Sequence, residues 1–111
     1  MADCIFDRIA RGEIPSTVVY QDDTVMAFRD IHPKAPVHVL IIPKKHITSM
    51  MEITKEDVPI IGHMMEVAGI VGRQEGLKAY KLVINNGKDA GQEVMHLHMH
   101  LLGGRHVSGL V

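Results

Sequence analysis

The stretch Val94-Met95-His96-Leu97-His98-Met99-His100-Leu101-Leu102 decides how this chain is read. Polar and apolar residues alternate over most of it, and side chains in a strand repeat every second residue. The alternation predicts a strand over Val94–Leu102. His96, His98 and His100 then share one face, about 7 Å apart. Leu97, Met99 and Leu101 fill the other, under a helix. Histidine is not a usual strand filler, so three in alternation need a reason. One is structural: an exposed face that tolerates histidine, or satisfied polar groups at a sheet edge. A second is a metal site, because imidazole is the commonest transition-metal ligand. Same-face spacing alone does not converge three rings on one ion, however, and no acid ligand stands obviously nearby. The third is phosphoryl or nucleotidyl transfer. An imidazole nitrogen attacks phosphorus without a second base, and a covalent intermediate splits one difficult displacement into two. Flanking histidines can then hydrogen-bond the phosphate oxygens or protonate the leaving group. Only this reading gives all three positions a role.

Working outward, Tyr80–Asn85 reads as another strand, followed by the glycine-bearing loop Asn86–Gly91. Thr54-Lys55-Glu56-Asp57 has the form of a capping box. It opens a predicted long helix that reaches Glu75, with Ile61, Met64, Met65, Ala68 and Val71 at helical spacing. Pro59 sits slightly late for its first turn, and Gly76 supplies the stop. Val37–Ile42 reads as a buried strand ending at Pro43. His32–Pro36 holds two prolines and must be irregular. Thr17–Gln21 and Thr24–Arg29 form a predicted hairpin around Asp22-Asp23. Asp3 is placed to cap a short helix through Arg11, ended by Gly12. The fold class is α+β: a five-stranded antiparallel sheet with one long and one short helix against one face.

A chain of 111 residues fits one domain, taken as 1–111. Its small size leaves much surface exposed, which favours self-association. The formal net charge of −1 argues against a nucleic-acid partner, whose binding surface would be basic. Cys4 is the only cysteine, which excludes an intramolecular disulfide and fits a reducing compartment. The N-terminus lacks the basic and apolar runs of a signal peptide. No apolar run approaches the roughly 20 residues of a membrane span. The expectation is a cytoplasmic protein with no membrane partner.

His96-Leu97-His98-Met99-His100-Leu101-Leu102 matches the His-φ-His-φ-His-φ-φ signature (φ apolar) of the histidine triad (HIT) superfamily. Ile5-Phe6, Glu13-Ile14-Pro15-Ser16, Phe28-Arg29-Asp30-Ile31, Ala35-Pro36-Val37-His38, Ile42-Pro43-Lys44-Lys45-His46 and Leu102-Gly103-Gly104-Arg105 resemble blocks of its nucleotide-binding branch, in order. The resemblance implies a homodimer whose protomers form one continuous larger sheet, meeting through the long helix and the strand after it. It also implies hydrolysis of purine nucleoside phosphoramidates and related adenylates, through a covalent nucleotidyl-histidine intermediate and without a cofactor. By resemblance His98 is the nucleophile, His100 a phosphate contact and His96 an orienting residue. His38 is similar to a fourth histidine that closes the cluster. Asp30 resembles the carboxylate that holds the ribose hydroxyls, and Ile31, Phe6 and Phe28 the walls around the base. Asn85 and Gly91-Gln92-Glu93-Val94 resemble the segment touching ribose and phosphate. Plainer readings stand beside these. Phe6, Phe28 and Ile31 also suit a core, Asp30 a cap on the turn into Pro33, Asn85 a strand end, and His38 a satisfied buried histidine. His32, His63 and His106 receive no role.

The chain departs from the pattern in places. Glu93 stands where some members have a serine near phosphate, and a carboxylate there repels phosphate unless it turns away or meets a cationic leaving group. Other members hold structural zinc through Cys-x-x-Cys and two histidines. Here Cys4, His46 and His96 match, but Asp7 replaces the second cysteine, so the expectation is no metal, although Asp can ligate zinc. The short tail His106–Val111 would leave the leaving-group side open. Two rival functions are a dinucleoside polyphosphate hydrolase of a sister branch and a nucleotide-binding or scaffold protein with incidental catalysis.

Overall fold

The computed structural model describes residues 3–109. Its elements run α1 (Ile5–Ala10), β1 (Val18–Gln21), β2 (Val25–Arg29), β3 (Val37–Pro43), α2 (Val58–Gln74), β4 (Tyr80–Val83) and β5 (Met99–Gly103), with short 3₁₀ turns in the connections. The five strands form one sheet in the order β1-β2-β3-β5-β4, every neighbouring pair antiparallel. The return through α2 carries the chain to the β4 edge, and β5 then inserts between β4 and β3.

Apolar sequence without alternation marks strands covered on both sides, and β2 and β3 behave so. Val25, Ala27, Val39 and Ile41 join Met99 and Leu101 of β5 in a core with Met64, Val67, Ala68 and Val71 of α2. Met26, Phe28, Leu40 and Ile42 pack instead with Phe6 and Ile9 of α1. The two helices therefore lie on opposite faces, which corrects the expectation of both on one. A helix of six residues can cover only part of a sheet, and the rest of the α1 face is left open beside it.

Local chemistry accounts for the other differences. Cys4, not Asp3, is the N-cap of α1: its sulfur accepts the Asp7 N–H and the Asp7 carboxylate accepts the Cys4 N–H. Asp3 pairs with Arg11 instead. The Thr54–Asp57 capping box closes as expected, but on a 3₁₀ turn (Lys55–Asp57), so that Pro59 falls in the first turn of α2, where its missing N–H is harmless. Met65 of α2 points outward at 52% exposed, and Val67 takes the buried place.

The predicted strand over Val94–Leu102 is cut short. Continuing the β3–β5 register would oppose Leu97 to Pro43, which has no N–H to give. The ladder stops there, and the Leu97 N–H donates to the Ile47 carbonyl at 2.6 Å. Only His100 of the three histidines lies on a strand; His96 sits in a bend and His98 in the irregular stretch that leads into β5. No helix among the described residues is long and apolar enough to cross a membrane.

Candidate active site

On the α1 side of the sheet a cavity of about 550 Å³ opens, within the range of small-molecule sites. Phe6, Phe28, Asp30, Ile31, His38 and Asn85 line it. Gly91, Glu93, Val94, His98 and His100 line it as well. Phe6 stands edge-on to Phe28 and to the His98 ring, with centroids 5.5 and 5.1 Å away. Ile31 is 84% exposed at the rim, while Phe28 is both wall and core. Asp30 has two tasks: Oδ1 accepts the His32 N–H, the turn cap of the plainer reading, and Oδ2 lies 3.4 Å from His38 Nε2.

Two expected site residues turn elsewhere. Gln92 is buried and does not line the cavity. Its Oε1 accepts the Gly87 N–H, and its Nε2 donates to the carbonyls of Thr48 and Val94. The His96 ring is fully buried and faces away from the cavity wall, among Cys4, Asp7 and His46. Residues given no role line the wall too, among them His32, Lys34 and Ser16. The signal at 32–34 itself is the proline Pro33, which marks rigid backbone rather than chemistry.

The hydrogen bonds assign the imidazole protons. His98 Nδ1 lies 2.7 Å from the His96 carbonyl, which can only accept, so Nδ1 carries the hydrogen. In the neutral ring the lone pair is then on Nε2. His38 reads the opposite way: the Lys34 N–H donates to its Nδ1 at 3.0 Å, so its hydrogen sits on Nε2, 2.9 Å from His100 Nδ1. His100 accepts at Nδ1 and keeps its own hydrogen on Nε2. Burial favours the neutral forms of both. It lowers His38, and it drives His100 down to about 4 with help from the charges of His98 and His38. His98 and His100 lie 5.0 Å apart by ring centroid. One presents a bare nitrogen and its neighbour an N–H.

Two groups of possible metal ligands occur among the described residues. In Asp30, His38 and His100 the His38 nitrogen facing the group carries the hydrogen, so this set does not fit an ion as built. Cys4, Asp7, His46 and His96 do fit. His96 Nε2 donates to the Pro43 carbonyl at 2.8 Å, an outer hydrogen bond of the kind that orients ligating histidines. That leaves the Nδ1 lone pair 3.3 Å from both Cys4 Sγ and Asp7 Oδ1. His46 Nδ1 lies 2.8 Å from Asp7 Oδ2 and 3.8 Å from the sulfur. Burial pushes the Asp7 carboxyl up, but hydrogen bonds from Cys4 and His46 hold it below the usual range. Asp7 thus keeps the donor count at four, and the S, N, N, O set suits zinc.

Comparison with known proteins agrees with the geometry. The HIT domain family model matches residues 11–107. The chain is 50% identical over 105 residues to the purine nucleoside phosphoramidase of Escherichia coli K12, covering 93% of this chain and 88% of that one. It is also 50% identical over 107 residues to a 14 kDa zinc-binding protein of Zea mays, covering 94% and 84%. The crystal structure of a HIT family hydrolase from Legionella pneumophila superposes with a TM-score of 0.92 at 47% identity, over 95% of this chain and 96% of that one. With the triad at the entry to β5, the sheet order and these relatives in agreement, the chain belongs to the HIT family.

Proposed function

We propose that this protein hydrolyses purine nucleoside phosphoramidates and related nucleotidyl conjugates with His98 as nucleophile. The observation that carries the reading is the paired tautomers: Nε2 of neutral His98 is bare because Nδ1–H is held by the His96 carbonyl, and the adjacent His100 keeps an Nε2–H. In this mechanism His98 Nε2 bonds to the α-phosphorus as the P–N bond breaks, and the amine leaves with a proton from solvent. The His100 N–H stabilises charge on the phosphate oxygens, a contribution that grows in the transition state. Water then attacks phosphorus, the P–Nε2 bond breaks, and the water proton returns to solvent. His96 serves through its carbonyl rather than its ring. Asp30 is assigned to the ribose, and Phe6, Phe28 and Ile31 to the purine of an AMP or GMP moiety. Cys4, Asp7, His46 and His96 would hold zinc, which when bound supplies a cross-link between α1, the loop after β3 and the triad bend.

The identity to a named phosphoramidase supports the substrate class. The test is steady-state hydrolysis of an adenosine phosphoramidate. His98→Ala is expected to lose at least about a thousandfold in kcat, as removal of a covalent nucleophile does, with an unchanged melting temperature. Turnover retained in His98→Ala refutes the mechanism. Preference for a dinucleoside polyphosphate moves the protein to the sister activity, and tight AMP binding with no turnover makes it a binding protein.

We further propose that residues 1–111 act as one domain that pairs as a homodimer in the cytoplasm. Val58 and Met65 stand exposed on α2, and Tyr80 on β4, the last strand of the sheet. Gel filtration at the mass of one 12.3 kDa chain would contradict the dimer.

A further inference from the structure

The loop 32–36, which lends His32 and Lys34 to the cavity wall, meets the turn after β5. Gly104 has φ +95°, and a Cβ on it would come within 2.9 Å of the Pro36 ring, so the turn lies directly against the loop. Arg105, next in sequence, reaches across and donates from Nη2 to the Lys34 carbonyl at 3.0 Å. The same residue's N–H donates to His38 Nδ1. At its other end the loop is held by Asp30, whose Oδ1 takes the His32 N–H and whose N–H donates to the His38 carbonyl. Lys34 therefore sits in a frame, with Arg105 on one of its backbone groups and His38 on the other.

A peptide N–H is a donor and nothing else. Aimed at His38 Nδ1, it fixes which nitrogen of His38 carries hydrogen, and the 2.9 Å contact passes that choice to His100. With the Lys34 amide lost or displaced, only the longer 3.4 Å contact to Asp30 Oδ2 still favours the hydrogen on Nε2, and the Nδ1–H tautomer of His38 becomes populated. His38 Nε2 then becomes an acceptor, His100 must place its hydrogen on Nδ1, and its Nε2 turns a lone pair toward the phosphate. We propose that Arg105 is a positioning residue that, by fixing the Lys34 backbone through its carbonyl, keeps the N–H at the other end of that residue on His38 and so holds His38 and His100 in the tautomers that leave His100 an N–H donor in the cavity. Its catalytic consequence rests on the phosphoramidase reading above; its effect on the tautomers does not.

The experiment uses the full chain with ¹⁵N-labelled histidine, reading the imidazole nitrogens by long-range ¹H–¹⁵N correlation, alongside phosphoramidate kinetics. Wild type should show His38 and His100 each as a single Nε2–H tautomer. Arg105→Ala should show mixed tautomers at both rings and a kcat lower by about fivefold to tenfold, the worth of one misdirected hydrogen bond, with KM unchanged. Arg105→Lys retains a donor and should recover most of both. An Nδ1–H His38 in wild type overturns the proposal, as do unchanged tautomers in Arg105→Ala. Shifted tautomers with wild-type kcat in Arg105→Ala overturn its catalytic half. A wild type without turnover refutes the phosphoramidase reading alone, because the tautomers are still read directly.

Discussion

Gln92→Ala separates a ligand contact from a structural one. The side chain makes three hydrogen bonds: it accepts from the Gly87 N–H at 2.8 Å and donates to Thr48 O at 2.7 Å and Val94 O at 3.0 Å. It is nearly inaccessible, at 3% exposed, so water does not readily replace it. At about 1 kcal/mol net for each bond, truncation costs about 3 kcal/mol. Unfolding entropy near 60 °C is about 2.1 cal/mol/K per residue, or about 0.23 kcal/mol/K for this chain, so Tm should fall by about 13 °C. Gln92→Glu is no rescue, because it sets a carboxylate oxygen against two carbonyls. The assay is thermal unfolding by circular dichroism, with AMP affinity measured well below the variant's Tm. A variant that melts within about 3 °C of wild type yet loses tenfold in AMP affinity would refute the reasoning and make Gln92 a nucleotide ligand.

Two further predictions follow from side-chain clusters away from the cavity. His63 on α2 meets Asp22 of the β1–β2 turn at 2.6 Å and Glu66 at 2.9 Å, and these bonds, Asp22 foremost, raise it above its usual 6.5. Burial pushes Asp22 up, but hydrogen bonds from Tyr20, His63 and the 24–25 backbone hold it well below its usual 3.8. The His63 contribution is complete below about pH 6.5 and is lost as pH rises through its raised value; that of Asp22 is complete above about pH 4 and is lost on further acidification. The Tm gap between wild type and His63→Ala should therefore be larger at pH 5.5 than at pH 8.5, and an equal gap at both would refute the pairing. At the four-donor cluster, added Co²⁺ should produce a sulfur-to-metal charge-transfer band and raise Tm, and a chelator should reverse both. A band that survives Cys4→Ser would place the ion elsewhere.

Much of the fold was legible along the chain because its signals are local. The Thr54–Asp57 capping box, the Gly76 stop and the apolar runs of β2 and β3 each act within a few residues, and all appear where expected. The helix arrangement was not legible. Periodicity shows that a residue is buried but not which side of the sheet buries it, so placing α1 and α2 on opposite faces took the packed core. Met65 and Val67 traded places for a related reason: a helix face is set by what it packs against.

The candidate site divides the same way. The sequence by itself determined which residue types are present in what order, and hence the family, the triad and the short list around it. Almost all of that list lines one cavity. Only the tertiary structure decided what each ring meets. Pro43, which cannot donate to the ladder, keeps β5 from starting before Met99, and its carbonyl takes the His96 Nε2–H so that the rest of that ring faces the Cys4–Asp7–His46 group. The Lys34 amide, anonymous in the sequence, selects the His38 tautomer from four residues away. Spacing along a chain specifies which side chains can meet. Which nitrogen of an imidazole carries its proton depends on the partner the fold sets opposite it, and that partner is most often a backbone group that no residue name records.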